Sequence, residues 1–155
     1  MTIWKPKTSI MVKVLGLVWR GTDLLASEVL DSTGRITGVR PLGGGIEFGE
    51  TREEAMRREF EEELGCSLTV IGPWHSVESI FVHEGNVGHE FIYMANVKLD
   101  DPQIYKKDVI QYSEDNGTMC TAKWFSPTCL PLGVDLYPSE LLRLIHNGVV
   151  RPNTF

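Results

Sequence analysis

Long apolar runs, turn clusters and one amphipathic helix alternate along this chain. Ile10 to Trp19 is apolar with little polar interruption, which predicts a buried strand. Arg20-Gly21-Thr22-Asp23 is a turn signal, and Leu24 to Leu30 reads as the returning strand of a hairpin. Asp31-Ser32-Thr33-Gly34 marks a second turn, and Ile36 to Arg40 a short strand ending at Pro41. Gly43, Gly44 and Gly45 then predict a loop with unusual backbone freedom. Thr51 with Glu54 fits a capping box, and Ala, Arg, Met, Leu and Glu favour helix as far as Leu64. Gly65 is a natural stop.

Further strands are predicted at Ser67 to Ile71, Ser76 to Val82 and Phe91 to Leu99, punctuated by Gly72-Pro73 and by Glu84 to Gly88. Asp100 to Gly117 is polar and reads as a long irregular connection. Ala122 to Phe125 is a short strand, and Ser139 to His146 a second helix closed by Asn147-Gly148. Strands, helix, strands, helix is the order of an α/β protein with a mixed sheet and helices on its faces. Neither a repeat nor a Pro/Ser-rich linker divides the chain, so a single domain over 1–155 is expected.

Composition narrows the partners. With 155 residues, 42% hydrophobic and 23% charged, the chain can bury a core without disulfide or metal staples. Its formal net charge is -6. Broad nucleic-acid binding needs a surplus of Lys and Arg, and an anionic membrane surface needs basic runs; both are lacking. Five of the six net charges fall between Glu47 and Glu63, and that is where chemistry is sought. No apolar run is long enough to span a bilayer, and Met1 to Ile10 holds no apolar core of a signal peptide. Cys66, Cys120 and Cys129 form neither a CxxC pair nor an even disulfide set, so the expected setting is a reducing cytoplasm.

On a helical wheel Met56, Phe60 and Leu64 share one stripe. Glu59, Glu62 and Glu63, related by i, i+3 and i+4, share another, with small Ala55 on the same side. A solvated acidic face is the ordinary explanation of such a stripe. Two features oppose it. Like charges at i, i+4 destabilise a helix unless a cation intervenes. The glycine run in front lets backbone groups approach an ion or phosphate closely. Hard oxygen donors in such a cluster suit Mg2+ or Mn2+ rather than zinc.

The stretch Gly44 to Cys66, GGIEFGETREEAMRREFEEELGC, resembles the Nudix box. The fixed positions of that box fall on Gly44, Glu50, Arg58, Glu59, Glu62, Glu63 and Gly65. Phe60 fills its first bulky apolar position. Cys66 stands where Ile, Leu or Val is usual, a mild departure because a buried Cys behaves as a small hydrophobe. The resemblance implies a Nudix-type α/β/α sandwich with a loop-helix-loop catalytic motif. It further implies a pyrophosphohydrolase that uses Mg2+ or Mn2+ to cleave the diphosphate linkage of a nucleoside diphosphate derivative by water attack on phosphorus. Glu59, Glu62 and Glu63 would bind metal, with a backbone carbonyl of Gly43 or Gly44 completing part of the shell. Glu59 or a later carboxylate would help deprotonate the attacking water. Arg58 would pair with Glu50 and fix the loop against the helix. Glu47 reads as solvent-facing or supporting.

Family members recruit a further acid from outside the box. Glu114, beside Asp115 in the loop before Trp124, is the first candidate and Glu90 its competitor; an ordinary surface carboxylate is the alternative for each. Arg40, Gly44 and Trp19 are the candidates for contacting substrate. Trp74 and Trp124 are stacking candidates on the same footing as Trp19, with core or rim packing the alternative, and Trp4 ranks below them; Arg20, like Arg40, is a candidate phosphate contact with solvated charge as the alternative. His75, His83, His89 and His146 show no zinc-ligand spacing. The marks reported for ADP-ribose and dinucleoside polyphosphate subfamilies would fall near Phe81 and near Val82 to Glu84, and neither is present. Nucleoside triphosphates are therefore the default substrate. The rivals are a hydrolase of dinucleoside polyphosphates or nucleotide sugars, a non-catalytic nucleotide-binding module of the same family, and isoprenoid diphosphate isomerisation, which is associated with an active-site Cys. The expected partner is a small nucleotide, and the family habit of homodimerising locates no interface here.

Overall fold

The computed structural model describes residues 4–153. The outermost residues of the expected 1–155 domain, and Met1 to Ile3 of the N-terminal stretch, lie outside the described residues. Among the described residues eleven strands and two α-helices follow one another. The strands are β1 (Ile10–Leu17), β2 (Trp19–Arg20), β3 (Asp23–Leu30), β4 (Ile36–Pro41) and β5 (Gly43–Gly45), then β6 (Leu68–Val70), β7 (His75–His83), β8 (Asn86–Leu99), β9 (Val109–Ser113), β10 (Met119–Phe125) and β11 (Asp135–Leu136). Helix α1 is Arg52–Leu64, α2 is Ser139–His146, and Ile104–Lys106 forms a short 3-10 turn. Among the described residues no helix is long and apolar enough to cross a membrane.

Two sheets share the strands. One runs β5-β1-β8-β6, with β7 also paired to β8. The other runs β11-β4-β3-β10-β9, with β2 paired to β3. Both are mixed, because β1 lies parallel to β8 and β11 parallel to β4. The α/β class expected from the element order is the architecture found.

The apolar run at the N-terminal end is divided between the sheets, which corrects the simple hairpin. β1 pairs with β8 and β5, never with β3. The chain crosses over at Val18, whose carbonyl accepts from Leu25 N at 2.9 Å. Only Trp19 and Arg20 pair with β3. Val14, Leu15, Leu17, Val18 and Trp19 are all buried, so a segment that passes between two sheets has no polar face to show.

Three other expectations change. Gly43–Gly45 is a strand, not a loop, lying antiparallel to Lys13–Leu15. Gly43 has φ 154°, and a Cβ there would stand 1.9 Å from the Val14 carbonyl oxygen. Glycine is what lets the two backbones come this close. The connection 100–117 contains β9, whose alternating burial puts Ile110 and Tyr112 inward. The turn between β7 and β8 is Glu84-Gly85 alone, both left-handed at φ 50° and 76°, which suits a two-residue hairpin turn.

The α1 core face forms as its periodicity predicts. Met56 and Phe60 are fully buried, and Leu64 packs at the margin. A Cβ on Gly16 would lie 2.6 Å from the Phe60 ring, so glycine in β1 seats the ring. Burying a Phe contributes about 1.5–3 kcal/mol. A second cluster, with Leu15, Leu17, Trp19, Leu24 and Ile92, is capped by Leu141 of α2.

Candidate active site

Helix α1 is fixed at both ends. The Thr51 hydroxyl accepts from Glu54 N at 3.1 Å, and left-handed Gly65 donates its N–H to the Glu61 carbonyl at 2.9 Å. Between these caps Glu59 and Glu63 are drawn out of open water, while Glu62 stays exposed. Ala55, on its side, is fully buried. Glu59 and Glu63, one turn apart, line a cleft of about 630 Å³. Glu62 is not among the lining residues, and its side chain is 40% exposed.

Arg58 is the hub that joins the helix to the segment before it. Its Nε donates to Glu50 Oε2 at 2.7 Å and its Nη2 to Glu50 Oε1 at 2.9 Å. Nη2 also donates to the Gly45 carbonyl at 2.9 Å, and Nη1 to Glu59 Oε1 at 3.1 Å and Glu62 Oε2 at 3.4 Å. Glu50 Oε1 in turn accepts from Glu47 N at 2.9 Å. The bidentate bond from Arg58, helped by that N–H, holds the Glu50 carboxyl down at about 2. The pairing that the box resemblance implied for Arg58 and Glu50 is present in full geometry.

Glu63 is in the opposite electrostatic situation. Burial, then repulsion from Glu59, Glu114, Glu62 and Asp115, raises its pKa to about 8. Glu59 is also raised, chiefly by burial, although Arg58 opposes the shift. Glu63 Oε2 is buried and has no hydrogen-bond partner. A buried carboxylate oxygen in that condition costs free energy. Gly44 packs directly on the Glu59 carboxylate, and a Cβ at Gly44 would lie 2.3 Å from Glu59 Oε1. Gly43, Gly44, Glu114 and Asp115 line the same cleft. Among the described residues no three acidic, His or Cys side chains are already gathered as ligands around one point. An orphaned buried oxygen, mutually repelling carboxylates and a backbone without side chains together fit a hard divalent cation.

The sequence alternatives for the outside acid separate here. Glu114 lies near enough to Glu63 to raise its pKa. Glu90 is already paired with cations: buried at 3% exposure, it faces Arg40 Nη2 at 3.0 Å and Lys13 Nζ at 3.6 Å. Arg40 lines the same cleft.

Trp19 is corrected. It is 4% exposed inside the second core cluster and donates its indole N–H to Asn96 Oδ1 at 2.9 Å. A strand position in the crossover put the ring into the core. Trp124 and Trp74 also stand away from the cleft lining, each under an arginine: Arg20 at 4.7 Å and Arg52 at 4.5 Å from the ring centres. Trp4, the weakest stacking candidate, does line the cleft and stacks near Phe81 at 6.1 Å.

Several lining residues were not foreseen: Lys13, Tyr112, Cys120 and Ser139. Lys13 had a readable signal, being the one charge inside an apolar strand. Cys120 had none. Burial and neighbouring Glu114 push its thiol up to about 11, so at neutral pH it is a thiol rather than a nucleophilic thiolate.

Comparison with known proteins places the family and the fold. The NUDIX domain family model matches residues 11–144. The chain is 49% identical over 91 residues to a nucleoside triphosphatase NudI of Escherichia coli O139:H28, covering 56% of this chain and 64% of that protein. It is 44% identical over 78 residues to the NudI of Klebsiella pneumoniae, covering 48% and 55%. It thus spans roughly half to two thirds of the length of these relatives. In fold it is similar to a NUDIX hydrolase from Nitrosomonas europaea, with TM-score 0.56, 20% identity and 93% coverage of both chains. It is similar too to the E. coli ORF135 protein, with TM-score 0.55, 19% identity and 90% coverage of both.

Proposed function

The chain belongs to the NUDIX domain family, and from that premise we propose that it is a metal-dependent pyrophosphohydrolase of nucleoside triphosphates. One observation carries the reading. The buried, unpartnered Glu63 Oε2 stands among Glu59, Glu114 and Asp115, on the helix that bears the family's box. That arrangement costs stability unless a cation is bound.

In this reading Glu59, Glu62 and Glu63 hold Mg2+ or Mn2+, with Glu114 and a carbonyl of Gly43 or Gly44 as further oxygen donors. A divalent cation there supplies charge neutralisation at the phosphate oxygens. Arg58 and Glu50 do no chemistry; they hold β5 and the following turn against α1, so the donors keep their spacing. Glu59 or a later carboxylate would take the proton of the attacking water. All these residues come from one chain, acting as a single domain. The three free thiols favour a reducing compartment such as the cytoplasm.

The choice of nucleoside triphosphate draws on the NudI relatives and on the cationic wall of Lys13 and Arg40. A panel of nucleoside triphosphates, nucleotide sugars and dinucleoside polyphosphates, assayed with Mg2+ or Mn2+ and with chelator, tests it. Metal-dependent release of pyrophosphate or phosphate from a triphosphate is expected. Turnover that chelator leaves unchanged would overturn the reading.

A further inference from the structure

Opposite the acidic helix, a buried carboxylate gathers two cations. Glu90 occupies the face of β8 that also buries Ile92 and Met94, and it is 3% exposed. Arg40 Nη2 donates to its Oε1 at 3.0 Å, and Lys13 Nζ stands 3.6 Å from its Oε2. Among the described residues these are the ion pairs that Lys13 and Arg40 make. One carboxylate against two cations gives the trio a formal charge of +1, with burial and then Arg40 lowering the Lys13 pKa and Glu90 opposing that shift. Arg40 comes from β4 and Lys13 from β1, strands of different sheets. Glu90 therefore fixes the spacing of two cations that would otherwise repel.

Both cations line the cleft, and their side chains are 20% and 23% exposed. A guanidinium has five N–H donors and an ammonium three. The bonds to Glu90 use a minority of them, so both groups retain donors for a ligand. The matching ligand is a compact anion with several acceptor oxygens. A terminal phosphate has that chemistry; a neutral sugar does not.

We infer that Lys13 and Arg40, held by Glu90, bind a phosphate beyond the diphosphate handled at the acidic helix, and so select nucleoside triphosphates over diphosphate-linked neutral groups. The inference rests on the proposed hydrolase reading and deepens it. Lys13 is the added substrate-binding residue. Glu90 is a positioning residue that acts through the two cations, not a metal ligand. A triad that merely ties the sheets together would leave ligand preference unmoved.

The test is calorimetric binding, with Mg2+, of an α,β-methylene nucleoside triphosphate and the matching α,β-methylene diphosphate. Wild type should prefer the triphosphate analogue by about tenfold or more. Lys13→Met should cut that preference to about threefold or less, Glu90→Gln should lower it, and Glu90→Asp should restore part of it. In kinetics, Lys13→Met should raise KM for a triphosphate about tenfold while kcat stays within about threefold. Equal affinity of the wild type for both analogues overturns the inference, and that comparison needs no variant to fold. A folded Lys13→Met protein with the full preference overturns it too. Failure of the hydrolase reading looks different: the wild type then turns over no nucleotide, whatever the analogues bind.

Discussion

Arg58 grips Glu50, eight positions before it in sequence, through two nitrogens at 2.7 and 2.9 Å. The same guanidinium holds the Gly45 carbonyl. Lysine keeps the charge but not the fork. Arg58→Lys should therefore remain folded, lose a few degrees of Tm and lose most of its kcat. Paired thermal melts and initial rates check this. Wild-type turnover in Arg58→Lys would show that the clamp does not position the site.

Adjacent glycines should fail differently when replaced by alanine. At Gly43 the new Cβ meets backbone, 1.9 Å from the Val14 oxygen. The β1–β5 ladder must part, at a cost of about 2 kcal/mol or more. At Gly44 it meets the end of a flexible side chain, the Glu59 carboxylate at 2.3 Å. Gly44→Ala should keep near-native denaturant stability while its metal affinity falls about tenfold or more. Urea melts and metal titrations of both variants distinguish backbone damage from site damage.

Stability should depend on pH through Glu63. Its folded pKa is raised to about 8 from 4.5. For an acid shifted upwards, the contribution to stability is complete below the unfolded value and is lost as pH rises through the folded one. The metal-free protein should thus weaken steadily between about pH 5 and pH 8. Glu63→Gln should flatten that slope and exceed the metal-free wild type in Tm at pH 9. A parallel slope in wild type and variant would assign the pH dependence elsewhere.

Cys120 bears on the isomerase alternative, because it lies in the cleft. With its thiol pushed up to about 11 and Cys129 exposed, alkylation at pH 7.5 should label Cys129 first. Cys120→Ser should keep wild-type hydrolysis. Mass spectrometry of the labelled peptides and a rate comparison decide; loss of all turnover in Cys120→Ser would revive a cysteine mechanism.

The acidic helix was legible because its information is contiguous. Caps, core stripe, acids and glycine run lie in one segment of sequence, and each has a local physical cause. The opposite wall was not. Lys13, Arg40 and Glu90 meet only because β1 lies parallel to β8 and the chain changes sheets at Val18, and no local pattern encodes that pairing. Glu90 did carry a hint, since an acid in phase with Ile92 and Met94 on an inward face demands counter-ions. Trp19 misled for the same reason as the hairpin: its aromatic face suggested a ligand, while the crossover placed it in the core. β9 was hidden by polar residues around a short alternation, Val109 to Ser113, too brief to outweigh its flanks.

The central claim is that the half-buried acids of α1, Glu59 and Glu63, are part of a cation-dependent hydrolytic centre. Phosphorus-31 analysis of nucleoside triphosphate hydrolysis by wild type, Glu59→Gln and Glu63→Gln, each verified as folded, tests it most directly. The account predicts Mg2+-dependent pyrophosphate or phosphate release by the wild type and a loss of about 100-fold or more in each variant. Equal turnover by the wild type and both folded variants would contradict it.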